Sequence, residues 1–330
     1  MNIGELIGDA VTGIVIIVGV PAFLALYIVG GEYLIRLLPD ARRPRVRPWL
    51  WVGPALLFVT AFLVLPAIGT LIQSFENHQG EWIAAANYQR QLGEFGGGAW
   101  IAIRNNIYWL VLYTMFTLFF GLLLAVLFDR VPYESFVKSL IFLPMAISSV
   151  ALAVIWKFMY SYQPPGAVQT GTLNAIVVNV LHQDPRPWLS DTAVNNFALI
   201  VAAIWGITGF AMVILSAALK GIPAELLEAA RVDGAGEITI FRRVIFPLMM
   251  PTVVVVGTTL VIFALKAFDV VYVMTAGNFG TDVLANRMYK LLYLSDNPGG
   301  ASAVAIILLI AVIPVLIFNL RQFRAVEARR

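Results

Sequence analysis

The sequence predicts an all-α polytopic membrane protein with about seven transmembrane helices. Three observations carry that prediction. The 330 residues are 60% hydrophobic and 12% charged, with a mean hydropathy of +0.85, a balance suited to lipid as the solvent. The apolar residues gather into runs of about 20, the length that crosses a bilayer. The basic residues, finally, concentrate in alternate connections between those runs.

The runs are Val11–Leu38, Leu50–Ser74, Ile101–Phe128, Phe136–Tyr160, Asn195–Leu219, Pro247–Phe268 and Ala301–Leu320. Glu5 and Asp9 precede the first, with no basic residue. A signal peptide needs a positive start and a small-residue cleavage site, so this run reads as a retained helix. "LPDARRPRVRPW" (Leu38–Trp49) follows as a stiff, poorly helical linker. It sets residues 1–48 apart from a core at 49–321, with a tail at 322–330.

The connection Phe75–Trp100 carries "GEFGGG", a flexible stretch. Pro164 and Pro165 break helix in "YQPPGAVQTGTLN", and Trp188 then suits a membrane interface. "FDVVYVMTAGNFGTD" (Phe268–Asp282) has β-branched and aromatic residues bounded by Gly277 and Gly280, which predicts a short strand and turn. Lys266 and Asp269, three apart, would meet as an ion pair on a helix, although ionisable residues near a span are also functional candidates.

Arg36, Arg42, Arg43, Arg45, Arg47, Arg130, Lys138, Lys220, Arg231, Arg242, Arg243, Arg321, Arg324, Arg329 and Arg330 fall on one side if the runs alternate. Those are 15 of the 22 Lys+Arg, and the positive-inside rule makes that side cytoplasmic. The N-terminus is then outside and the C-terminus inside, in a multi-pass protein surrounded by lipid, with no sign of nucleic-acid binding. The chain has no cysteine, and His78 and His182 lie in separate segments. Thiolate sites are therefore excluded, and no His-based metal or catalytic site is expected. No G-x-x-x-x-G-K-[ST] phosphate loop occurs either.

One cytoplasmic connection, at 221–247, is unusually structured. In "GIPAELLEAARVDGAG", Pro223 suits the start of a helix, and Glu225 and Glu228 favour its N-terminal dipole. Gly234 suits a left-handed helix end. A second short helix, "EITIFRRVI", leads to Pro247. Charge beside small alanines suits docking into a cleft on a cytosolic partner. The same charges also fit a plain loop obeying the positive-inside rule.

Glu228-Ala229-Ala230, then Gly234, then Val244-Ile245-Phe246-Pro247 resembles the EAA loop of binding-protein-dependent ABC importer permeases. Val244 and Phe246 stand where that family usually has Ile and Leu. "RVDGAGE", "KAFDVVYVMTAG" and "GTLN" are similar to its carbohydrate branch, closest to the alpha-glucoside permeases of the maltose-type group. The resemblance implies a six-helix permease core plus one N-terminal helix, in a bacterial inner membrane. It implies a second homologous permease, two ATP-binding subunits and an extracytoplasmic sugar-binding protein as partners. ATP and Mg would belong to the ATPase, with no cofactor or catalytic residue on this chain.

The resemblance further implies that Glu228 pairs with a basic group on the ATPase, flanked by Arg231 and Asp233. Ala229 and Ala230 would allow close approach, and Gly234 would make the turn before Pro247. Matched to the maltose-type permeases, Ser149 and Phe210 fall where side chains line the sugar cavity, with Met145 and Ile207 beside them. Leu260, Ala264 and Ala267 stand where those permeases use polar contacts. By periodicity alone, Ser149 could instead bond a backbone carbonyl and Phe210 pack between helices. An ATP-independent secondary transporter of a small polar solute is the alternative. The nearly charge-free span centres count against it.

Overall fold

The computed structural model describes residues 3–93, 97–129 and 131–327, so Arg130, Arg329, Arg330 and the middle of "GEFGGG" lie outside it. The chain divides into two compact units, Met1–Gly69 and Thr70–Arg330.

The first unit holds α1 (Ile3–Arg36) and most of α2 (Arg43–Gln73). The linker expected to be poorly helical turns helical at Arg43, because Pro44 falls in the first turn, where no N–H is needed. Tyr27 donates its hydroxyl to the Leu50 carbonyl, and its ring meets Trp51 edge-on at 6.1 Å. Arg47 pairs with Glu32 at 2.7 Å. Most described apolar side chains of this unit, Ile17, Leu26 and Phe62 among them, are exposed, as a lipid-facing surface requires, while Ile35 is buried.

The second unit begins with the short α3 (Ala86–Leu92) and the long α4 (Gly98–Leu127). The fourth apolar run, expected as one span, is instead two helices bent by 99°: α5 (Glu134–Ala146) and α6 (Ser149–Met159). The cause is local. Pro144 tightens the end of α5 into a 3₁₀ turn, and Ile147 and Ser148 are extended. The Ser148 hydroxyl then accepts the Ala151 N–H at 3.2 Å and caps α6.

After α7 (Thr172–Asn179), Trp188 is half-buried and donates its indole N–H to Asn174 Oδ1 at 3.1 Å. The central helix α8 (Asn195–Lys220) carries the fully buried Leu199, Met212 and Leu215. Small residues bring its neighbours close. A Cβ at Gly121 of α4 would lie 2.6 Å from that of Ala211, and one at Gly209 would lie 2.6 Å from the Ile141 carbonyl oxygen of α5.

The connection at 221–247 forms α9 (Ala224–Val232), followed by α10 (Glu237–Leu265). The second short helix expected at "EITIFRRVI" is simply the first two turns of α10. Phe241–Ile245 forms a π turn there, closed by the Phe246 N–H on the Phe241 carbonyl. That wider turn lets the helix run on through Pro247, whose ring would crowd the Arg243 carbonyl of a regular helix.

The strand expected at Phe268–Asp282 is a helix, α11 (Asp269–Thr275). It ends at Ala276, which is left-handed at φ +53°. Among the described residues the isolated β pairing is Glu76 with Trp82. Next come α12 (Leu284–Tyr289), which continues as a π turn at Lys290–Leu294, and α13 (Pro298–Glu327). Five described helices are long and apolar enough to cross a membrane, and the bent pair makes six. Helix α13 is apolar over Pro298–Pro314 among the described residues, and the described helices do not confirm the count of seven.

Candidate functional site

The α9 turn is built by its own backbone. The Gly234 N–H bonds the Arg231 carbonyl and the Ala235 N–H bonds that of Ala230, both at 3.0 Å. This is the Schellman pairing, and it requires a left-handed residue at its centre. Gly234 fills that position at φ +79°. Arg231 Nε donates to Glu237 Oε1 at 3.1 Å and so ties α9 to the start of α10.

Leu227 faces inward and is buried, whereas Glu228, Ala229, Arg231, Asp233 and Gly234 are exposed and Ala230 is half-buried. Val232 and Ile238 are 88% and 73% exposed, an apolar surface beside these charges. Glu228 makes no hydrogen bond or ion pair with the described residues. Pro247 is exposed nearly three turns into α10. Behind α9 a cavity of about 460 Å³ is lined by Leu227, Arg231, Glu237, Glu134 and Lys220. Glu134 accepts from Lys138 one turn along α5 and from Lys220 of α8 at 2.7 Å, joining those two helices beneath α9.

A second cavity, of about 350 Å³, opens at the other end of α10. The bent pair, α8, the π turn of α4 at Trp109–Tyr113 and the α10–α11 junction form its wall. Met145, Ser149 and Ile207 all line it, together with Trp109, Tyr113, Phe263 and Phe268. Its size and mixed lining suit a small ligand. The Ser149 hydroxyl makes no bond to a backbone carbonyl among the described residues, while neighbouring Ser148 is committed to its cap. Phe210 is not in the wall; it packs behind Phe263 at 6.4 Å and supports that ring. Of the three α10-side positions, Ala267 lines the cavity and Leu260 and Ala264 are fully buried in the core.

Lys266 and Asp269 also line this cavity, and no ion pair joins them among the described residues. Helix α10 ends at Leu265 and α11 starts at Asp269, so the helical spacing that would pair them is interrupted. Trp109 and Tyr113 went unrecognised in the sequence. Their signal was an aromatic pair at i, i+4 in one span, and their rings lie 5.9 Å apart. Trp109 keeps a buried indole N–H without an acceptor among the described residues.

The α11–α12 connection is fixed by amides from two other helices. Asn105 Nδ2 donates to the carbonyls of Gly280 and Asp282, each at 2.7 Å, and Asn195 Nδ2 to that of Phe279 at 2.8 Å. Burial pushes the Asp282 carboxyl up from its ordinary range, opposed by its bond from Asn286 and by Lys290 at 3.6 Å.

Comparison with known proteins agrees with this architecture. Residues 117–329 match the family described as binding-protein-dependent transport system inner membrane component. The chain is 49% identical to the osmoprotective compounds uptake permease protein GgtC of Synechocystis, over 85% of this chain and 100% of that one. It is 44% identical to the alpha-glucoside transport system permease protein AglF of Rhizobium meliloti, over 84% and 82%. In fold it is similar to a chain of the bacterial alginate ABC transporter crystallised with an alginate pentasaccharide-bound periplasmic protein. That match has a TM-score of 0.72 at 22% identity, over 87% of this chain and 98% of that one. With an exposed, turn-locked helix at one end of α10 and a ligand-sized cavity at the other, the chain belongs to the binding-protein-dependent transport system inner membrane components, the permease subunits of ABC importers.

Proposed function

We propose that this chain is the permease subunit of an ATP-driven sugar importer, for alpha-glucosides or related oligosaccharides. Its partners are a second homologous permease, two ATP-binding subunits that hold ATP and Mg, and an extracytoplasmic sugar-binding protein. The observation that carries the reading is the continuity of α10 between the exposed α9 turn and the aromatic cavity. In this mechanism, α9 seats in an ATPase groove through Glu228 and the Ala229–Ala230 surface, with Arg231, Asp233 and Gly234 shaping the turn. ATP-driven closure of the ATPases moves α9, and the cavity opens outward to receive sugar. Hydrolysis restores the inward-facing state. Met145, Ser149 and Ile207 contact the passing sugar, with Phe210 as support. Residues 1–48 act as an appendage to the core at 49–321.

Proteoliposomes holding the complete complex test this reading. Alpha-glucoside uptake is expected only with ATP inside and the binding protein outside. Uptake that proceeds without ATP, driven by a proton or sodium gradient, would overturn it in favour of a secondary transporter.

Orientation has its own test. Glu237 is 75% exposed at its side chain, and the chain has no native cysteine. With the N-terminus outside, Glu237→Cys is expected to react with an impermeant thiol reagent only in opened cells. Labelling in intact cells reverses the topology.

A further inference from the structure

Four aromatic rings continue the cavity wall away from the core. Phe268, in the wall, stacks on Tyr272 of α11 at 5.3 Å and 17° between planes. Tyr289 of α12 lies 5.5 Å from Phe268 and 5.0 Å from Tyr272. Tyr293, in the following π turn, lies 4.9 Å from Tyr289. Phe268 and Tyr289 are half-buried, Tyr272 is 40% exposed and Tyr293 68%. The row therefore begins at the cavity and ends in the open.

Two features separate this row from ordinary packing. A core cluster would bury its outer member, and a lipid-anchoring belt has no reason to run into a cavity bearing Lys266 and Asp269. The row is also held still, because the α11–α12 connection is pinned by Asn105 and Asn195 and α12 by the Arg287–Gln91 bond at 2.9 Å. Tyrosine supplies a flat apolar face and a hydroxyl with few rotatable bonds. A pyranose ring offers the complement, an apolar CH face rimmed by hydroxyls.

We propose that Tyr293, Tyr289, Tyr272 and Phe268 form a stacking track for sugar rings, leading from the protein surface into the cavity. The inference rests on the sugar-importer reading and extends it to a site outside the cavity. Sugar released at the surface stacks first at Tyr293. It then passes along the tyrosines to Phe268, where Lys266 and Asp269 meet its hydroxyls.

The complete transporter in proteoliposomes tests this through the amount of alpha-glucoside moved per ATP hydrolysed. Tyr293→Leu and Tyr272→Leu keep apolar bulk but remove the ring, and each is expected to lower that ratio about tenfold, the scale of one lost ring contact. Tyr293→Phe is expected to retain most of it. A general loss of assembly would lower uptake and ATP hydrolysis together, leaving the ratio intact, and that result overturns the track. So does a Phe variant as impaired as the Leu variant, or a Leu variant with the wild-type ratio. If the wild-type complex moves no sugar, the functional reading fails first and the track with it.

Discussion

Valine at position 234 is expected to cut ATP-dependent uptake by at least about tenfold while leaving the amount of membrane-inserted protein unchanged. Gly234 has φ +79°, and a Cβ there would meet no atom within 4 Å. Space is therefore not the obstacle. The left-handed backbone costs an L-residue about 1–2 kcal/mol, more when the side chain is β-branched. That strain falls on the two bonds that close the turn, from Gly234 and Ala235. Asparagine tolerates this conformation, so the uptake rates should rank Gly, Asn, Ala, Val. Immunoblotting of membranes and initial uptake rates measure both halves. A valine variant that transports at the wild-type rate would remove the turn from the mechanism.

Replacing Glu228 with alanine acts at the other end of the loop. Glu228 is exposed and makes no bond to the described residues, so the free chain loses little. In the complex, truncating one member of a buried charge pair typically costs about 2–5 kcal/mol. The complex should shed its ATPase on purification, or keep it and lose sugar-stimulated hydrolysis. Thr239→Ala, on the exposed side of α10, is the suitable control. Glu237 is not, because its carboxylate holds Arg231 at 3.1 Å. Full retention of the ATPase with wild-type stimulation in the Glu228 variant would leave α9 a charged loop and nothing more.

The apolar runs were legible because lipid demands a length and a composition that few other elements share. The Gly234 turn was legible too, through the residue type that its backbone requires. The bend in the fourth run was not legible because hydropathy does not register geometry. Pro144 and the Ser148 cap sit in "PMAISS" without lowering its apolar character much. At Phe268–Asp282 the β-branched Val270, Val271 and Val273 suggested a strand. Among the described residues there is no second strand to pair with, and a helix satisfies its own backbone.

The cavity was read only in part. Ser149 and Ile207 were found through resemblance, whereas Trp109 and Tyr113 looked like ordinary span residues. Lys266 and Asp269 were judged by helical spacing, which presumes an unbroken helix where the chain in fact changes direction. Which residues converge on one cavity depends on the bend between α5 and α6. That is a tertiary fact, and no local pattern encodes it.

Helix α10 has a mechanical consequence. Its 29 residues from Glu237 to Leu265 span about 43 Å at 1.5 Å per residue. A rod of that length tilted by only about 10° about one end swings the other through roughly 7 Å, more than the width of a sugar ring. Under the proposed coupling, a tilt begun at the Arg231–Glu237 joint would be largest at the far end of α10, near Phe263. Any flexing at the π turn before Pro247 would subtract from the stroke delivered to that far end.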